Sequence, residues 1–391
     1  MSRNSIGKNL VITSFGESHG PFVGVVIDGF PSNFRINHTE LQQQLNRRKP
    51  GQNAFTSPRK EKDEFQIISG LYENKSTGAP ITILIPNTDA RPEDYDHLKE
   101  VFRPGHADLL YQIKYGHRDH RGGGRSSARI TAGWVAAGAL AQQWLKSRSA
   151  KQHPALKGSK IHTRAWVKQI HSIVGKSDSA MESTINTELN VTSSNPKTQA
   201  THPYSHFPTP ENIEASPIRC PFPQQVEMMS AIEEARNSGN SLGGIIACVV
   251  ENVPMGIGEP VFGKLQAVLG HYLLNINAVK GVSFGDGFTA VLNNGAENND
   301  EWCIQSDGSI GTRTNHAGGI IGGISTGSYL YFEVAFKPTS TIKKDQNTLN
   351  SLFEEISFSA SGRHDPCVLP RAVPIVEAMT NLALMDLMLE F

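Results

Sequence analysis

Short apolar runs closed by turn formers alternate along this chain with longer stretches in which apolar residues recur at helical spacing. "NLVITSF", "FVGVVIDGF" and "ITILIPN" are rich in β-branched residues and end at Gly, Pro or Asn, which predicts strands. "ITAGWVAAGALAQQWLK", residues 130–146, predicts a helix, with either Ser126 or Ser127 placed to cap it. From about 147 to 216 the periodicity lapses into Ser, Thr, Asn and Pro, and a polar surface insertion is expected at about 176–210. Order returns with a helix in "QQVEMMSAIEEARNSGN", stopped by Gly239, and a strand in "GGIIACVVENV". A helix follows in "PVFGKLQAVLGHYLLNINAV", then a strand in "SYLYFEVAFKP" and a helix in "AVPIVEAMTNLALMDLML". The elements mix without regular β-α-β alternation and without an internal repeat, which predicts an α+β fold.

Composition narrows the function. Lysine plus arginine and aspartate plus glutamate both number 37, so no global field draws the chain to nucleic acid or to an anionic membrane. The cysteines, Cys220, Cys248, Cys303 and Cys367, lie far apart and form neither a metal pattern nor a disulfide framework. Reduced thiols in a cytoplasmic protein are expected. No export signal and no membrane span are read in the sequence.

Positive charge is instead local. "HRDHRGGGRSSAR", residues 117–129, joins arginines, glycines and serines at the expected start of a helix, where unpaired N–H groups and the helix dipole favour an anion. There Arg125 and Arg129 can fork onto phosphate oxygens. His117 and His120 have a metal-ligand spacing, but the neighbouring arginines repel a divalent ion, and no metal is expected. "LNRRKPGQ", "FRPGHAD" and "SGRHDPC" repeat the pairing of basic residues with tight turns, which points to loops converging on a small polyanion. In "GESHG", His19 suits a proton donor as well as an ordinary turn histidine. "GDGFTA" at 285–290 matches a dinucleotide fingerprint, but Asp286 would oppose the pyrophosphate and no helix follows. "RGGGR" lacks the interleaved aromatics of an RNA-binding segment.

Taken in order, "GESHG" with "VIDG", "RRKPG", "FRPGHAD", "RGGGRSSAR", "INAVKGV", "NHAGGIIGGIS", "KPTSTI" and "GRHDPCVLPRAVPIVEAM" resemble the chorismate synthase family over nearly the whole length. The resemblance implies one domain over 1–391, a β-α-β sandwich of two antiparallel sheets around helices, and a homotetramer. It implies a 1,4-elimination of phosphate from 5-enolpyruvylshikimate 3-phosphate that requires reduced FMN (FMNH2) without net redox change. Some fungal members also reduce their flavin with NADPH. By motif, His19 would protonate the leaving phosphate and His106 would stand near the flavin ring. Asp365, helped by Ser18 and Ser127, would take the ring proton by way of the flavin. Arg48, Arg129 and Arg363 would hold anionic groups of substrate or cofactor. Flavin contacts would fall on Arg48, Arg125, Ser126, Ser127, Asn277, Ala278, Gly322, Lys337, Pro338, Thr339, Ser340, Thr341 and Arg363. The chain departs from many bacterial members at Ala54, where Arg is usual, and at Ile130, where Glu is usual.

Overall fold

Two antiparallel sheets form where the β-branched alternation is strongest. A computed structural model describes residues 4–57, 59–147, 160–176, 207–305, 308–360 and 365–390. The first sheet holds β1 (Ser5–Ile6), β2 (Val11–Gly16), β3 (Phe22–Asp28), β4 (Gln66–Ser69) and β5 (Ile81–Pro86) in the order β1-β2-β3-β5-β4. Val23, Val25 and Ile27 pair across strands with Ile85, Ile83 and Ile81, all buried on one face. The period of two thus places a complete apolar stripe toward the core. The second sheet holds β6 (His162–Ile170), β7 (Ile173–Val174), β8 (Gly244–Glu251), β9 (Val279–Phe284) and β10 (Leu330–Phe336) in the order β9-β10-β8-β6-β7.

Helices lie between the sheets and around them. The principal ones are α1 (His38–Arg48), α2 (Asp108–Tyr115), α3 (Thr131–Ser147), α4 (Gln225–Asn237), α5 (Leu265–Leu274) and α6 (Leu369–Met388). Helix α3 packs on the first sheet, α6 on the second, and the two helices on each other. Small residues permit this closeness: a Cβ on Gly138 of α3 would lie 2.4 Å from the Cβ of Ala378 on α6. The carboxylate of Asp386 on α6 accepts the backbone N–H groups of Lys8, Asn9 and Leu10, fastening α6 to the turn before β2. The arrangement is the expected α+β sandwich.

Some boundaries differ from those the sequence predicts. The helix expected over 260–279 runs only from Leu265 to Leu274. Before it, Glu259 N–H closes a turn on Gly263 O, and Lys264 is extended at the N-cap. The expected insertion falls almost wholly on residues 177–206, outside the described residues. At its far edge Phe207 packs against Trp166 and Tyr331 on the second sheet and against Tyr329 just before β10, so this edge anchors through apolar contact. No helix among the described residues is long and apolar enough to cross a membrane.

Candidate active site

Loops from distant parts of the chain and the first turns of α6 enclose a cavity of about 360 Å³, a size typical of small-molecule sites. The turn after β2 contributes His19, the segment before α2 contributes His106, and the glycine-rich stretch contributes Ser126, Ser127 and Arg129. Asn277 and Ala278 enter from the turn between α5 and β9. Lys337, Thr339, Ser340 and Thr341 follow β10, and Asp365 precedes α6. Helix α6 begins at the wall with no side-chain cap, so its N-terminal dipole adds to the positive character of the cavity.

His19 is nearly buried, edge-on to Tyr95 with ring centroids 4.7 Å apart, and its Nδ1 lies 3.0 Å from Ser18 Oγ. Ser18 itself sits behind the ring and does not line the cavity. Gly122 packs against the same Nδ1 edge with φ +68°, and a Cβ there would lie 2.4 Å from both Nδ1 and Cε1 of His19 and 3.0 Å from Ser18 Oγ. The close approach, more than freedom of the loop, requires glycine here. Gly122→Ala should therefore push the ring aside and lower turnover about a hundred-fold, the effect of a displacement near 1 Å. Steady-state kinetics on the folded variant checks this; unchanged turnover would mean that His19 need not hold its position.

Cations and carboxylates interlock around the wall. Arg59 bonds Glu61 at 2.5 Å, Arg129 bonds Asp63, and Arg48 reaches the other oxygen of Asp63 at 3.1 Å. Arg371 pairs with Asp365 at 2.5 Å, while Ser57 N–H donates to the second Asp365 oxygen at 2.7 Å. Burial pushes the Asp63 carboxyl up, but the charges of Arg48 and Arg129 outweigh it and hold it below its ordinary value. Glu61 is likewise lowered by Arg129 and Arg59 against the effect of burial. Lys337 lines the cavity without a carboxylate partner among the described residues, donating instead to Ser340 Oγ at 2.5 Å. Burial, with Lys280 adding to it, pulls its ammonium down from the ordinary value.

Several expected residues serve otherwise in this structure. Arg48 is wholly buried away from the cavity lining, donating to Ala128 O, Arg129 O and Thr131 Oγ1 at the start of α3. Arg125 spends its guanidinium on the backbone carbonyls of Ser14 and Gly16, stapling the glycine-rich stretch to β2. Arg129 lines the cavity, and Asn87, Asp63 and Pro86 O take three of its five N–H groups, so it offers positive field with only part of its donor set engaged by the wall. Pro338 does not line the cavity, and Gly322 is exposed in a turn between Ile321 and Ile324. Arg363 lies outside the described residues. Ser127 caps the short 3-10 turn Ala128–Ile130 that leads into α3, accepting Arg129 N–H at 3.2 Å, and so acts one turn ahead of the helix that the sequence predicts it to cap. Ile130, noted above as a departure, is a core residue with 4% exposure.

The cavity also has lining residues that the sequence reading missed: Arg59, Tyr95 and Arg371. A signal for the first existed. In "RKEKDE", Arg59, Glu61 and Asp63 alternate with Lys60, Lys62 and Glu64, and the odd set turns inward while the even set stays exposed. Such a period of two in a charged run marks an extended segment with one polar face buried.

A family model described as chorismate synthase matches residues 10–389. Chorismate synthase from Porphyromonas gingivalis is 48% identical over 98% of this chain and 95% of its own length. The one from Opitutus terrae is 47% identical over 98% and 96%, respectively. A crystal structure of chorismate synthase matches the fold with a TM-score of 0.70 at 27% identity, covering 98% of this chain and 93% of that one.

Proposed function

Because the chain belongs to the chorismate synthase family, we propose that its cavity is where 5-enolpyruvylshikimate 3-phosphate loses phosphate and a ring proton beside reduced FMN. The chain is an enzyme of the shikimate pathway. One observation carries the assignment of the site: His19, His106 and Asp365, far apart in sequence, line a single cavity walled by arginines. A substrate with a phosphate and two carboxylates calls for such a wall.

The residues on the α5–β9 and β10 side suit a flavin. Asn277 lines the cavity with its Oδ1 buried and without a hydrogen-bond partner, while its Nδ2 donates to Ser126 O. A ligand N–H would satisfy that oxygen. Ala278 holds φ +71°, a conformation unusual for alanine, and its carbonyl accepts Lys337 N–H at 2.9 Å. Ser126, Ser127, Asn277, Ala278, Lys337 and the Thr339–Thr341 stretch would hold FMN, with Lys337 supplying a cation that has no carboxylate partner among the described residues. When bound, reduced FMN supplies electron density that assists departure of the phosphate and is regained by the end of the reaction.

His19 holds a proton for the departing phosphate oxygen, and Ser18 fixes its Nδ1. Arg129 and the start of α6 lower the energy of the negative charge that grows on the leaving group. Asp365, with one oxygen on Arg371 and the other on Ser57 N–H, keeps further lone pairs on both oxygens and receives the ring proton. The C–O bond to phosphate and the ring C–H bond break, and a new double bond closes the diene.

We extend the proposal to a cytoplasmic homotetramer with one catalytic domain over 1–391. Phe288, Val291 and Leu292 on one short turn, and Phe262, are each more than 80% exposed, apolar side chains that a neighbouring subunit would cover. The cysteines are all free.

An anaerobic assay with the phosphorylated substrate and chemically reduced FMN tests the function. Chorismate and inorganic phosphate should appear in equal amounts while the flavin stays reduced. Loss of reduced flavin in step with product would instead indicate a redox enzyme.

A further inference from the structure

Asp108 occupies the first position of α2 and is only 6% exposed, yet neither the sequence motifs nor the proposed chemistry gives it a task. Its carboxylate gathers the groups around the second cavity histidine. Oδ2 accepts Arg103 Nε at 2.7 Å and Arg103 N–H at 3.2 Å, while Oδ1 accepts Arg103 Nη2 at 2.8 Å. His106 Nδ1 lies 2.8 Å from the same Oδ1, and Arg118 Nη1 stands 3.6 Å from it. The ring is therefore held from one side by an aspartate that is itself fixed by a bidentate arginine.

The chemistry of the pair dictates which ring nitrogen carries hydrogen. Burial pushes the Asp108 carboxyl up, but the hydrogen bonds of Arg103 and His106 and the charge of Arg103 hold it well below the usual carboxylate range. An ionised carboxylate only accepts, so Nδ1 must donate. We infer that Asp108 is a positioning residue that locks His106 in the Nδ1–H form and leaves Nε2 as the atom that exchanges a proton with the cavity. Arg103 extends the device: its Nη2 also donates to Gly122 O at 2.7 Å, the residue packed against His19. One ion pair thus sets the orientation of His106 and fixes the loop that confines His19.

The inference rests on the proposed site for its consequence, but the tautomer can be measured without any turnover. With 15N-histidine-labelled protein, and the signal assigned by its absence in His106→Gln, the neutral ring should show a pyrrole-type Nδ1 and a pyridine-type Nε2. The opposite pattern in the wild-type protein overturns the inference, whatever the activity assays give. In Asp108→Asn the preference should weaken and kcat should fall about 10–100-fold, as for other residues that orient a functional side chain, with substrate KM nearly unchanged. A folded variant that keeps both the tautomer and kcat would also overturn it. Should that variant fail to fold, the wild-type spectrum alone decides the matter.

Discussion

Arg48→Ala should cost about 3–5 kcal/mol of stability, the usual result of removing one partner from a buried ion pair. Arg48 and Asp63 both have side chains with no exposure, and Arg48 also ties the carbonyl of Ala128 to the end of α1. Without it, Asp63 keeps Arg129 but loses the partner of its second oxygen. Chemical denaturation should show a lower midpoint. The pH dependence has a definite sign. The folded-state value of Asp63 is lowered, so its contribution is fully present above the ordinary carboxylate value near ~4 and is lost as pH falls through the lowered one. The margin of the wild type over the variant should hold from neutrality to about pH 5 and narrow in stronger acid. A variant of wild-type stability that binds substrate poorly would return Arg48 to the anion-binding role its motif implies.

Asp365→Asn should lose at least about a hundred-fold in turnover, the lower range for acid–base groups. The amide matches the carboxylate in shape but cannot receive a proton. The surroundings add a second effect. Ser57 N–H and Arg371 both donate to Asp365, and an amide has only one accepting oxygen, so one donor loses its partner, at about 1–3 kcal/mol. The stability of the variant must be measured along with its kinetics, and binding of FMN and substrate should remain close to normal. Near-normal turnover with normal flavin binding would reduce Asp365 to an anchor for Arg371.

Much of the fold was legible where one physical signal dominated. The apolar runs of β3, β5, β8 and β10 and the periodic patterns of α3, α4 and α6 were read close to their observed limits, because each buries a continuous face. Helix α1 escaped notice because "HTELQQQLNRR" offers only Leu41 and Leu45 as apolar positions, too few to set a period, whereas α4 carries Val226, Met228, Met229 and Ile232. In the site, His19, His106 and Asp365 stand in short distinctive motifs, and all three reach the cavity. Arg48 and Arg125 share that kind of context but turn to Asp63 and to backbone carbonyls. The residue types announce a charge, whereas its partner is set by packing between segments that can lie more than three hundred residues apart.

Placing α6 in the middle layer has a consequence for synthesis. The first sheet is complete at residue 86 and α3 by residue 147, but the helix that closes over α3 spans residues 369–388. A ribosome adding ~5–20 residues per second needs roughly 10–50 s to bridge that interval. Throughout it, the side of α3 that will meet Ala378 stays uncovered, and the turn at Lys8–Leu10 waits for Asp386. The nascent chain therefore carries an open apolar layer through most of its translation, which makes it a natural client for a chaperone that shields such surface until the last helix arrives.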